Sequence, residues 1–290
     1  MKRVLTALFL FSFVAVSCNL LSSRPSSNLP TIYIENKGSD TLVNLALAWA
    51  ERYQEKHADV RISVTGGGSG TGIAALINNT VDIANMSREI KPEELAEARA
   101  KGVNPIEYVI ARDAIAVIVN PENPVSNLTL QQLSDIYSGK INNWSEVGGE
   151  DRPIVRLSRE TNSGTHIYFL ETVLRLGREG DATLFSTDTL LLPSSEGIIL
   201  ETRQNPNAIG YDGLGYVPND LKMVAIAEGP NSSYVLPSIA TVNDGSYPIA
   251  RDLYLYSNGE PTGALADYLA WILSEEAQRI VAELGFVPVE

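Results

Sequence analysis

Three times along this chain a short apolar run gives way to a turn rich in glycine and hydroxyl residues, and then to a helical pattern. Thr31-Ile32-Tyr33-Ile34 alternates as a strand, passes through Gly38-Ser39-Asp40-Thr41, and enters a helical pattern from 42 to about 57. Val60-Arg61-Ile62-Ser63-Val64 runs into a glycine-rich turn, 66–72, with Ser69 at its centre and a helix at 73–78. Pro153-Ile154-Val155 leads through Arg159 to Ser163-Gly164-Thr165 and a helix at 167–174. The second unit is followed by another short strand, Val81-Asp82-Ile83-Ala84, which ends at Met86-Ser87-Arg88. Repeated strand–turn–helix order predicts a mostly parallel sheet with its loops gathered at the carboxyl ends of the strands, where such sheets bind ligands.

The composition of these turns points to an anion. Each precedes a helix, whose first N–H groups lack intrahelical partners and whose dipole favours negative charge. Small side chains allow close approach, and Arg159 adds a planar, permanently charged fork suited to oxyanions. One capped turn of this kind is commonplace; three with an arginine predict converging hydroxyl and amide donors. Two other readings of the same residues are weaker. The glycine-rich turn lacks the lysine of a nucleotide P-loop, since Ile73 follows Gly72. Ser163 and His166 are three apart, as a nucleophile and base on one helical face could be, but no G-x-S-x-G elbow surrounds them. His57, beside Lys56 at a helix end, is expected in solvent. Two histidines and one cysteine leave little for a transition-metal site, and no cofactor is expected.

A net charge of −13 argues against a nucleic-acid surface. An anion site on so acidic a chain has to rely on local dipoles and a few cations. Met1-Lys2-Arg3 followed by an apolar stretch to Val16 reads as a secretory signal over 1–17. It ends at Ala15-Val16-Ser17-Cys18, and Cys18 is the sole cysteine, which resembles a bacterial lipoprotein processing site. Residues 18–30, rich in Ser, Asn and Pro, then read as a lipidated tether.

The remaining pattern completes a two-domain α/β chain. A helix is expected at 92–101. The apolar stretch 106–120 reads as two strands interrupted at Ala111-Arg112-Asp113, a candidate crossover between domains. Helices follow at 129–138 and 195–204, strands at 208–211, 221–226 and 253–256, and one long amphipathic helix at 263–284. The strand near Leu253 is expected to return the chain to the first domain. Trp49, Trp144 and Trp271 are expected to pack in core or between domains, and Glu93-Glu94 and Glu275-Glu276 to be solvated helix faces.

Several segments together resemble the PstS family of phosphate-binding proteins of bacterial ABC transporters, over about 32–288. They are Gly139-Lys140-Ile141-Asn142-Asn143-Trp144 with Val147-Gly148-Gly149, Arg159 with Ser163-Gly164-Thr165, Ala208-Ile209-Gly210-Tyr211, and Gly245-Ser246-Tyr247-Pro248-Ile249-Ala250-Arg251. The resemblance implies a periplasmic-binding-protein-like (type II) clam-shell: two α/β domains, each a mixed sheet flanked by helices, joined by two crossovers. Domain I would comprise 31–111 plus 245–290, and domain II 112–244. It implies inorganic phosphate bound by Ser39, Asp40, Ser69, Ser87, Arg159, Ser163, Gly164 and Thr165, without catalysis. It also implies permease subunits of an ABC importer as partners, a monomer, and an extracytoplasmic location with a lipid anchor at Cys18. Two positions depart from the family pattern. Ser87 stands where an aspartate accepts the proton of phosphate, and Thr161 where an aspartate steadies the arginine, with Glu160 a substitute. Ser87 keeps open another tetrahedral oxyanion of the sulfate or molybdate class; a secreted phosphatase using Ser163 and His166 is the enzymatic alternative.

Overall fold

The computed structural model describes residues 30–289. The expected signal segment, Cys18 and nearly all of the tether lie outside the described residues. The chain opens with β1 (Ile32–Gly38), a 3-10 turn (Asp40–Leu42), α1 (Val43–Gln54), β2 (Val60–Thr65), α2 (Ser69–Ile77), β3 (Ile83–Met86) and α3 (Pro92–Ala100). β1 lies between β2 and β3 and is parallel to both, pairing Ile32 with Val60 and Gly38 with Asn85. The ends of β1 and β3 and the start of α2 therefore meet at one edge, as alternating strands and helices require.

β4 (Pro105–Val119) is one strand of 15 residues, where the sequence reading placed two. Its charged break does not interrupt pairing, because Asp113 sits directly opposite Arg251 on β11 (Ala250–Asn258). Opposite charges facing across an antiparallel pair keep the ladder intact. Before β11 come β5 (Asn127–Thr129), α4 (Leu130–Tyr137), β6 (Val155–Arg159), α5 (Gly164–Phe169), β7 (Leu190–Leu192), α6 (Ser195–Gln204), β8 (Ala208–Gly213), β9 (Lys222–Met223), β10 (Ala225–Ala227) and α7 (Ile239–Asn243). α5 does not stay α-helical to 174; residues Leu170–Leu174 form a π-helical turn.

The first half of β4 pairs with β11 and its second half with β8, so the strand passes from one lobe to the other. The sheet order is β2-β1-β3-β11-β4-β8-β6-β7, with β9 on β4 and β10 parallel to β5 in a separate pair. β11 thus returns the chain beside β3, as expected from the sequence. The buried apolar residues divide accordingly. Ile34, Leu42, Trp49, Ile110, Ala111 and Leu253 belong to one core, while Ala114, Val117, Phe169, Ile209, Tyr211 and Ile249 belong to another. The result is a mixed α/β clam-shell with β4 and β11 as its two connections.

The expected helix at 263–284 is two, α8 (Gly263–Ile272) and α9 (Glu275–Glu283). Ser274 breaks the run by capping α9, accepting the Ala277 N–H at 3.4 Å. Hydrophobic periodicity continues across the break and so conceals it. Trp49 and Trp144 are buried, their indoles donating to Ala277 O and Asn207 O, whereas Trp271 is half-buried against Tyr53. The acidic pairs are not simply solvated. Glu94 receives a fork from Arg88 and caps the Lys91 N–H, and Glu276 is bridged by Arg52 and Lys56. His57 stacks on Tyr53 with ring centroids 3.9 Å apart, so it too is partly covered.

Candidate functional site

The three hydroxyl-bearing turns and the end of β3 meet in the cleft between the lobes. Gly38 makes this approach feasible: a Cβ there would fall 2.1 Å from Asn85 O, at the carboxyl end of β3. The Ser39 N–H then bonds that carbonyl at 2.9 Å, and Gly68 N–H bonds Gly38 O at 2.9 Å. Ser39 Oγ donates to Ser87 Oγ at 2.8 Å, and Ser69 Oγ lies 3.2 Å from Ser87 Oγ. Ser87 N–H donates to Ser69 Oγ at 3.0 Å, which occupies a lone pair of Ser69 and leaves its proton to be directed elsewhere. All three serines are buried.

The second lobe brings Gly164 and Thr165 against this trio. A Cβ on Gly164 would meet Ser69 Oγ at 2.4 Å and Ser87 Oγ at 2.5 Å, so only glycine fits. Thr165 Oγ1 lies 2.9 Å from Thr41 Oγ1 across the cleft. Ser163 caps α5, its Oγ accepting the His166 N–H at 3.5 Å. Arg159, at the end of β6 and only 1% exposed, forms an inter-lobe ion pair with Asp40 at 2.6 Å. Its other donors reach Ser195 Oγ and Pro193 O, both at 3.0 Å, and Asp212 lies 3.9 Å away. Asp40, expected among the phosphate-binding residues, thus presents its carboxylate to Arg159 and also accepts the Gly67 N–H. Glu160, expected to steady the arginine, is exposed, and Asp40 and Ser195 do this instead.

Five further residues belong to the arrangement without having been singled out as binding residues. Thr41 was visible in its turn. Asn162 clips the lobes together, its carbonyl accepting from Gly70 N–H at 3.1 Å and its amide donating to Gly67 O at 2.9 Å. Asp212 and Ser195 hold Arg159 from β8 and α6. Arg251 on β11 donates to Ser87 O at 2.7 Å, Thr165 Oγ1 at 2.9 Å and Asp113 at 3.0 Å. No local signal marks Asn162, Asp212 or Ser195; Arg251 was visible only as the end of a family-like segment.

Burial dominates the titration of the carboxylates beneath the site. It pushes Asp113 up to about 6 despite the pull of Arg251, and raises Asp212 despite Arg159. His166 is pushed down to about 4 by burial and is neutral at pH 7. Its Nδ1 lies 3.0 Å from Ser158 Oγ, itself 2.6 Å from Tyr211 OH, and its ring stacks on Phe185. The imidazole is therefore engaged with Ser158, and the Ser163 hydroxyl caps the helix. Among the described residues no cluster of three or more His, Cys, Asp or Glu side chains is arranged to hold a metal ion. What the arrangement offers is two buried guanidiniums, of Arg159 and Arg251, and the hydroxyls of Ser39, Thr41, Ser69, Ser87, Ser163 and Thr165, drawn from both lobes, a donor set suited to a small, fully enclosed oxyanion.

A family model described as a PBP superfamily domain matches residues 25–276. The chain is 33% identical to the phosphate-binding protein PstS of Pseudomonas aeruginosa over 92% of this chain and 85% of that one. It is 31% identical to the PstS of Bacillus subtilis, over 96% and 91%. Among solved structures it is similar to a protein from Clostridium perfringens described as a phosphate ABC transporter substrate-binding protein with bound phosphate. There the TM-score is 0.79 and the identity 33%, over 89% of this chain and 100% of that one. An ABC-type phosphate transport receptor from Vibrio cholerae gives a TM-score of 0.70 at 27% identity, over 89% and 100%. The chain therefore belongs to the PBP superfamily and, within it, to the PstS family of phosphate-binding proteins.

Proposed function

We propose that this protein captures inorganic phosphate outside the cytoplasm by closure of its two lobes and delivers it to the permease of an ABC importer. The observation that carries the reading is the pairing of donors across the cleft: Thr41 with Thr165, and Ser69 and Ser87 against Gly164, beside the buried Arg159. Ser39, Asp40, Ser69, Ser87, Arg159, Ser163, Gly164 and Thr165 are assigned to the site. A buried dianion needs nearly every oxygen bonded, and hydroxyls together with helix-terminal N–H groups supply those bonds on an acidic chain. Closure follows because the ligand contacts both lobes only when they are together. The lobes are assigned as 31–111 with 245–290, and 112–244, which agrees with the divide of the cores between Ala111 and Ala114. Tyr247, Ile249 and Val287 reach from the first assignment into the second core. A signal at 1–17, a lipid on Cys18, a monomeric state and binding without turnover complete the proposal.

Calorimetric titration with phosphate, repeated in excess sulfate, tests it. One-to-one binding that survives sulfate is the expected result, and no binding of either anion would refute it. A specific observation favours a second reading: within the serine trio the acceptor available to a protonated oxyanion is Ser87 Oγ rather than a carboxylate. A hydroxyl can donate as readily as accept, so a site of the sulfate class predicts that sulfate displaces phosphate. Turnover of a phosphate monoester, lost in Ser163→Ala, would instead mark a phosphatase.

A further inference from the structure

The guanidinium of Arg251 occupies an unusual position. It stands on β11, one of the two strands connecting the lobes, and its partner Asp113 stands opposite on β4, the other. Both are buried, Asp113 completely and Arg251 at 7% exposure. From this place Arg251 touches both lobes at once. One terminal nitrogen donates to Ser87 O at 2.7 Å in the first lobe. The other donates to Thr165 Oγ1 at 2.9 Å in the second, and lies 3.4 Å from Thr41 Oγ1 in the first. The ring of Tyr168, whose hydroxyl is tied to Ala250 O at 2.6 Å, covers the guanidinium at 5.4 Å.

Hydrogen-bond polarity gives this geometry its consequence. Arginine only donates, so Thr165 Oγ1 is obliged to accept. Its own proton is then released toward Thr41 or toward a ligand. Within the Thr41–Thr165 pair one hydroxyl donates to the other, and the second proton remains free. Without Arg251 either hydroxyl could turn its lone pairs toward an incoming anion. The bond to Ser87 O does the same service for the serine trio, because it fixes the backbone that carries Ser87 Oγ and the N–H bonded to Ser69.

We propose that Arg251, oriented by Asp113 across the two connecting strands, is a positioning residue of the oxyanion site. It obliges the Thr165 hydroxyl to accept, so that the Thr41–Thr165 pair presents one proton to the ligand, and it fixes the Ser87 loop. The inference deepens the oxyanion-binding reading and rests on it. It also assigns the hinge strands a part in recognition, because the group that orders the donors is anchored on both.

The test is a double-mutant cycle on the whole chain, titrated calorimetrically with inorganic phosphate and followed in parallel by thermal unfolding. Its corners are wild type, Arg251→Met, the isosteric pair Thr41→Val with Thr165→Val, and all three together. Arg251→Met is expected to raise Kd by at least about tenfold in the wild-type background and by less than about threefold once the two hydroxyls are gone, the non-additivity of groups acting as a unit. Equal factors in both backgrounds, or no change in Kd, would overturn the proposal. Arg251→Lys guards against a folding defect. It keeps charge beside Asp113, but a compact ammonium lacks the planar fork that spans Ser87 O and the hydroxyls. It should fold and still lose affinity, and wild-type affinity in Arg251→Lys counts against the proposal. If wild type binds neither phosphate nor sulfate, the oxyanion reading itself fails. The coupling in unfolding temperature then decides whether Arg251 orders the hydroxyls, with additive shifts refuting it.

Discussion

Gly164 is the position at which a single methyl group separates closure from folding. A Cβ at this residue lies 2.4 Å from Ser69 Oγ and 2.5 Å from Ser87 Oγ, whereas ordinary contact begins at 3.4 Å. Each hydroxyl has to retreat by about 1 Å, and neither is free to do so. Ser69 is held by the Ser87 N–H at 3.0 Å, and Ser87 by Ser39 at 2.8 Å. Relief by rotation breaks these bonds, at about 1 kcal/mol each; relief by parting the lobes loses the bonds across the cleft. Overpacking of this size typically costs about 1–3 kcal/mol, which corresponds to roughly a 5- to 150-fold rise in Kd. Gly164 is the first residue of α5, and alanine at a helical position restricts the unfolded chain and stabilises by up to about 1 kcal/mol. Gly164→Ala is therefore expected to weaken phosphate binding in calorimetry while its unfolding temperature without ligand stays level or rises. Small-angle scattering at saturating phosphate should show a larger radius of gyration than wild type. Unchanged affinity would refute the steric argument, and so would an affinity loss matched by an equal loss of stability.

Arg159→Met removes the counter-charge of Asp40 and of the fully buried Asp212, and is expected to cost about 3 kcal/mol of stability and at least about 100-fold in phosphate affinity, read by chemical unfolding and calorimetry. Wild-type affinity in that variant would remove Arg159 from the site. His166 titrates at about 4 when folded against 6.5 in the unfolded chain, so its contribution is fully present above pH 6.5 and is lost as pH falls toward 4, by about 3 kcal/mol. Asp113, raised to about 6, has the opposite slope over the same window. The measurement is therefore the difference in unfolding free energy between wild type and His166→Asn from pH 7.5 to 4, and a flat difference would refute the assignment. Ser274→Ala deletes the cap between α8 and α9, and should cost about 0.5–2 kcal/mol while leaving phosphate affinity unchanged; a change in affinity would contradict the separation of that junction from the cleft.

The parts of this molecule legible in the sequence are those whose physics is local. A strand–turn–helix unit declares itself within about twenty residues, since period, glycine and cap lie side by side. Ser39, Ser69, Arg159 and Thr165 could therefore be singled out before any contact was known. Ser274 shows the limit of that method: its cap is a single hydroxyl inside an unbroken hydrophobic period. Asp113 shows a deeper limit, because it produced two errors from one cause. Read locally, Arg112-Asp113 in an apolar stretch looks like the end of a strand. The residue that makes the charge tolerable, Arg251, lies 138 positions away. Only the antiparallel register of β4 with β11 brings the two opposite each other, and without that register the strand looked broken and the arginine had no role. A buried charge pair is a weak source of stability, since desolvation opposes the attraction, and Asp113 remains raised to about 6 beside its partner. Apolar residues at both positions would hold the sheet at least as well. The pair is explained better by what its free donors reach, Ser87 O and the Thr165 hydroxyl, than by anything it does for the strands. The feature that most misled the local reading of the fold is thus the one through which the connecting strands touch the site.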